Sequence, residues 1–302
     1  MFNTLLLLCI MVLYPLAGAV LFSLLSGGIE QNASLLHPAT AILPPLRLVQ
    51  SVGQLLMLAL PVLVLAAWHT GCKNPFSGKS LSFLGVRNHV DFVALALAVA
   101  GIFLLQPLLY TITALQDIYL WPLFGDAGLE VVRQRAVMDA FIKELSLVRS
   151  FPEFLSVAFV LAVTPALCEE LFFRGYIQQN YARSLSRGGA VLLTGFIFAF
   201  FHLSAANLLP LALLGWYIGY LYSKTGNLAI AFAAHLMNNL AALLLLLFAD
   251  GGDLFIAQHF GILVDSPLWW LVVAVSVVLL VLVLRRFSNP FPADAVGSTR
   301  AS

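Results

Sequence analysis

Residues 153–180 read EFLSVAFVLAVTPALCEELFFRGYIQQN. From Phe154 to Cys168 the run carries no charge. As a helix the whole stretch is long enough to cross a bilayer core, which takes roughly 20 residues. Yet Glu169, Glu170 and Arg174 follow the apolar half. A charged side chain at the centre of a membrane helix costs roughly 2.5–3.5 kcal/mol on insertion scales, so such groups are functional candidates by default.

Outward from this stretch the apolar pattern repeats along the chain. Of 302 residues, 61% are hydrophobic and 10% charged, against roughly 25% charged in soluble domains. The runs predict eight membrane helices, at about 4–25, 49–68, 91–111, 153–180, 189–205, 208–223, 227–248 and 267–285. The expected fold is therefore all-α, a polytopic membrane helix bundle of about eight spans. Residues 1–152 would hold three helices and a polar extramembrane segment, 153–248 a core of four helices, and 249–302 the last helix and a disordered cytoplasmic tail. Leu5–Leu16 followed by Ala17-Gly18-Ala19 could pass for a signal peptide. Residues 1–4 carry no Lys or Arg, however, so a first membrane helix is the better reading. The segment 112–152 carries nine charged residues among Val131, Val132, Met138, Phe141 and Ile142. It reads equally as a surface-lying amphipathic helix or as a solvated loop with one short helix.

Charge excludes some partners and orients the chain. A net charge of +1 gives no bulk attraction to nucleic acid. Cys9, Cys72 and Cys168 are scattered and form neither a disulfide framework nor a cysteine metal site. Lys73, Lys79 and Arg87, then Arg183 and Arg187, then Lys224, then Arg285 and Arg286 fall on one side of an eight-helix chain. By the positive-inside rule that side is cytoplasmic, with both termini. Segment 112–152 then lies outside, despite its four basic residues.

Three helices carry the polar groups. Glu170 and Arg174 are spaced i,i+4 and can pair, and a structural ion pair explains both. Glu169 points roughly 100° away and has no local partner. A carboxylate in such a site suits general acid–base work. His202 ends the run Phe198-Ala199-Phe200-Phe201-His202. His235 and Asn239 share a face at i,i+4 and could donate to a developing oxyanion, or could simply bond helices together. Counting helical rise puts Glu169 roughly 9 Å, His235 12 Å, Asn239 18 Å and His202 20 Å from the cytoplasmic boundary. Side chains in one such band can meet across helices.

Glu169-Glu170-xxx-Arg174, Phe198-xxx-His202 and His235-xxx-Asn239, in that order, resemble the three motifs of the CPBP family. This group contains the CAAX prenyl endoproteases of Ras-converting type and the bacterial Abi proteins. The stretch Gly215 to Leu228 resembles the family's linker, and the likeness covers about 153–245. It implies an intramembrane endopeptidase acting near the end of a membrane-associated protein or peptide. Glu169 would activate water with His202, His235 and Asn239 would form the oxyanion hole, and Glu170, Arg174 and Phe198 would support them. The resemblance also leaves a zinc-dependent version, with Glu169, His202 and His235 as ligands, behind a metal-free mechanism. A non-catalytic scaffold of the same family is a further alternative. A small-solute transporter is disfavoured, because no inverted repeat is visible. The likeness is nearer the prokaryotic branch, which implies the cytoplasmic membrane and no assumption of a prenylated substrate.

Overall fold

The computed structural model describes residues 43–248, 264–288 and, except for 8, 11, 15 and 19, residues 5–20. The expected first span therefore lies partly outside the described residues, as do most of the 249–266 loop and the tail beyond Ser288. The described residues from 5 to 18 are helical.

The chain is a multi-pass membrane protein built of helices, with no strand among the described residues. Among the described residues, five helices are long and apolar enough to span a bilayer: α1 (Leu43–Thr70), α3 (Phe92–Phe124), α5 (Phe151–Tyr181), α8 (Leu228–Phe248) and α9 (Pro267–Ser288). Between them lie the short α2 (Gly78–Phe83), then α4 (Asp126–Leu145), α6 (Arg187–Phe201) and α7 (Leu208–Thr225). Helices therefore occur where the apolar runs predict them, and among the described residues five of the eight expected spans are long and apolar enough to cross. The shortfall is one of length and composition. The 15 residues of α6 rise only about 22 Å, less than a core of roughly 30 Å. The second helix of this hairpin, α7, is diluted by Trp216, Tyr217, Tyr220, Tyr222 and Lys224. Of the segment 112–152, expected as amphipathic helix or loop, residues 112–124 continue α3 and Asp126–Leu145 form a helix of 20 residues, α4.

Outer faces stay apolar, as lipid contact requires. Leu268, Leu271, Val275, Val278 and Leu282 of α9 are all exposed. Inside, α6 and α7 approach at Gly195 and Gly215, where a Cβ on Gly215 would stand 2.9 Å from Gly195 Cα and O. Small residues at membrane helix contacts allow this approach. Gly215→Val should therefore lower the thermal unfolding midpoint in detergent, with an overpacking cost of about 1–3 kcal/mol. Gly188→Ala, where a Cβ meets nothing within 4 Å, should leave the midpoint unchanged.

Three of the spanning helices widen into π-helical turns at Leu55–Ala59, Gln116–Leu120 and Phe159–Val163. Each lies two residues before a proline, Pro61, Pro122 or Pro165. Proline donates no backbone hydrogen bond and crowds the carbonyl four residues back, so the ladder slips by one residue. A fourth and longer π-helical stretch, Glu170–Gln178, has no such proline.

The basic connections gather at one end of the bundle. Arg87 Nε donates to Gly226 O at 3.2 Å. Tyr220 and Ser288 hydroxyls are 2.8 Å apart, which brings the end of α9 to the same level. At the opposite end Arg47 donates to Leu145 O at 3.0 Å and to Glu153 Oε1 at 2.9 Å, tying the starts of α1 and α5 to the end of α4.

Candidate active site

The site grows from the middle of α5. Thr164–Glu169 is regular α-helix, and Glu170–Gln178 is wound as π-helix. Every residue of that wider stretch is buried. Glu170 and Arg174 form the expected pair, Arg174 Nη1 donating to Glu170 Oε1 at 2.6 Å, with both side chains fully buried. Arg174 Nη2 also donates to Gly215 O at 3.1 Å. That bond links the charged pair to the glycine contact between α6 and α7.

Glu170 also does something the residue spacing did not reveal. Its Oε1 accepts from His235 Nδ1 at 2.7 Å. The carboxylate is the acceptor, so Nδ1 carries a proton and Nε2 faces the other way. Nε2 of His235 stands 4.0 Å from Glu169 Oε2. His202 follows the same logic. Its Nδ1 donates to Phe198 O at 2.8 Å, and its Nε2 lies 4.0 Å from the same Glu169 oxygen. Two imidazoles thus aim Nε2 at one carboxylate oxygen, which has no hydrogen-bond partner among the described residues.

Phe198 sets these angles. Its ring is edge-on to His202 at 4.8 Å and to His235 at 5.8 Å between centroids. The Arg174 guanidinium lies 4.8 Å above it. Phe198 is itself fully buried. The His235 side chain is nearly buried, at 4%, whereas His202 keeps 32% of its surface. The site is therefore open on the His202 side.

Asn239 stands about one turn beyond His235 on α8. It is joined to other partners. Asn238 Nδ2 donates to Asn239 Oδ1 at 3.3 Å, and Gln106 Nε2 of α3 donates to Asn238 Oδ1 at 3.1 Å. With its oxygen occupied, Asn239 has its amide N–H groups left to donate. Gln106 escaped the sequence reading, although a glutamine just before Pro107 in an apolar run was the signal.

The donors can be tested against zinc and against water. Zinc binds histidine and carboxylate at about 2.0–2.1 Å with ligand angles near 109°. The two 4.0 Å gaps are wider than the roughly 3.3 Å between neighbouring donors on a tetrahedral zinc. A water oxygen about 2.8 Å from each atom closes an angle of about 90° across the same gaps. Among the described residues no group of three histidine, cysteine or acidic side chains is arranged to hold a metal ion.

Residues 151–241 match a protein family described as type II CAAX prenyl endopeptidase Rce1-like. The segment contains every residue of the site just described except Gln106. The resemblance to the CPBP and CAAX protease-like group is therefore matched over residues 151–241, and it supports a CAAX-type intramembrane protease in general. No curated protein and no solved structure matches the chain.

Proposed function

We propose that the protein is an intramembrane endopeptidase whose nucleophile is a water activated by Glu169, without a metal. One observation carries this reading: Glu169 Oε2 is 4.0 Å from Nε2 of both His202 and His235. The gaps are too wide for direct hydrogen bonds and suit a shared water. Glu169 takes a proton from that water as its oxygen attacks the peptide carbonyl, with His202 Nε2 holding the water in line. The C–O bond forms and the carbonyl oxygen becomes an oxyanion. Asn239 Nδ2–H and, in its doubly protonated form, His235 Nε2–H donate to it. Collapse breaks the C–N bond, and the proton on Glu169 passes to the leaving amine. Glu170 holds His235 through Nδ1, and Arg174 holds Glu170.

The substrate is a membrane-associated protein or peptide reached from the bilayer or from the open His202 side. The cytoplasmic side of the membrane is the end bearing Arg87, Arg187 and Lys224.

Two measurements test the chemistry. Asn239→Ala should lower kcat by about 10²–10³-fold and leave KM nearly unchanged, as loss of one oxyanion donor does. Fully active purified protein should contain less than stoichiometric zinc by elemental analysis. Zinc at one equivalent, lost together with activity on chelation, would overturn the metal-free mechanism.

A further inference from the structure

A polar cavity, of about 190 Å³, opens at the basic end of the bundle. None of Glu169, His202, His235 and Asn239 lines it. Arg87, Arg187, Ser82, Ser223, Tyr222 and Gln178 are among its lining residues, and no carboxylate is. Nothing in the hydrolytic mechanism uses it.

Its chemistry is specific. Arg87 is anchored beside it through Nε and the Gly226 carbonyl, so its terminal nitrogens are left to bind. Arg187 is the first residue of α6, capped by Ser186, whose hydroxyl accepts from Gly189 N. The N–H groups that begin α6 have no partner within the helix, and the helix dipole adds positive potential there. Gln178 supplies the independent observation. It is only 3% exposed, and its Oε1 has no hydrogen-bond partner among the described residues. Its Nε2 is committed to Gly219 O at 2.9 Å, which fixes the amide with oxygen as the unused end. A bare anion would serve the arginines but not this oxygen. The ligand must carry a negative group and, close to it, an O–H or N–H donor.

The level of the cavity points to its source. It sits where α5 and α7 end and α6 begins, the level at which membrane helices meet lipid headgroups. Around it Arg183 lies over Phe83 at 5.6 Å and Lys224 over Tyr220 at 5.4 Å, a cationic and aromatic rim fit for a membrane interface. We propose that this cavity binds the headgroup of an anionic phospholipid. The phosphate pairs with Arg87 and Arg187 at the start of α6, and a headgroup hydroxyl donates to Gln178 Oε1.

The test uses the full chain in detergent with phosphatidylglycerol, phosphatidylcholine or inorganic phosphate. At saturation phosphatidylglycerol should raise the unfolding midpoint by about 5 °C. Phosphatidylcholine, which has no headgroup donor, should not. Arg87→Gln/Arg187→Gln, both on exposed residues, should lose most of the shift. Lys73→Gln/Lys79→Gln removes the same charge from the same end but lines no part of the cavity, and should keep it. If millimolar inorganic phosphate reproduces the shift and the arginine variant loses it, the site stands with free phosphate as its ligand. No shift in the unaltered protein, an equal shift in the arginine variant, equal loss in the lysine control, or an equal effect of phosphatidylcholine would overturn the proposal.

Discussion

Glu169→Gln should abolish peptide hydrolysis by the purified protein while leaving its unfolding midpoint close to that of the unaltered chain. The amide keeps the size of the carboxylate but cannot accept the water's proton. Loss of a general base costs about 10²–10⁴-fold, and Glu169 would also return the proton to the leaving amine, so the upper part of that range is expected. The fold should survive because Glu169 Oε2 makes no hydrogen bond that the substitution would break. Its nearest titratable neighbours are 4.0 Å away. His202→Ala should also lose activity and remain folded, since among the described residues the His202 ring bonds only to the carbonyl of Phe198, one turn back. Unchanged turnover in purified Glu169→Gln protein would remove the glutamate from the chemistry.

Arg174→Leu should have the largest effect on stability. It leaves Glu170 fully buried beside His235, without the 2.6 Å bond that neutralises it. Removing one partner of a buried pair costs roughly 3–5 kcal/mol. It also removes the donor to Gly215 O at the contact of α6 with α7. Arg174→Lys should recover little, because a point-like ammonium cannot reach both acceptors as the guanidinium fork does. The double change Glu170→Leu/Arg174→Leu separates stability from function. It should restore much of the unfolding midpoint, as apolar replacements of buried pairs often do. It should still be inactive, because His235 has lost the carboxylate that orients it. Recovery of activity in the double variant would mean that the pair only packs helices.

Much of this arrangement is legible in the residues, and the unread part has physical causes. Apolar runs place the helices because lipid forces backbone groups to bond within a segment. The pair Glu170 and Arg174 follows from its spacing alone. That Glu169 meets both histidines was inferable from depth, since all three fall in one band of the bilayer. The bond from Glu170 to His235 was not, because it joins residues 65 apart in sequence. Regular helix geometry assigned Glu170 wholly to Arg174, whereas one oxygen serves both. Three π-helical turns each precede a proline, but Pro107 lies in regular α-helix, so proline alone does not mark them. The fourth, at Glu170–Gln178, carries no sequence mark and reflects packing around buried Phe172, Phe173 and Arg174. Gln106 was visible as a polar residue in an apolar helix, but only the fold shows that it leads to Asn239.

The most direct test of proteolysis at Glu169 compares the membrane proteins of cells carrying the unaltered chain with those of cells carrying Glu169→Gln at equal abundance. Mapping of protein termini should find new N- or C-termini on at least one membrane-associated protein only with the unaltered chain. The same termini in the same amounts from both would contradict a protease built on Glu169, His202, His235 and Asn239.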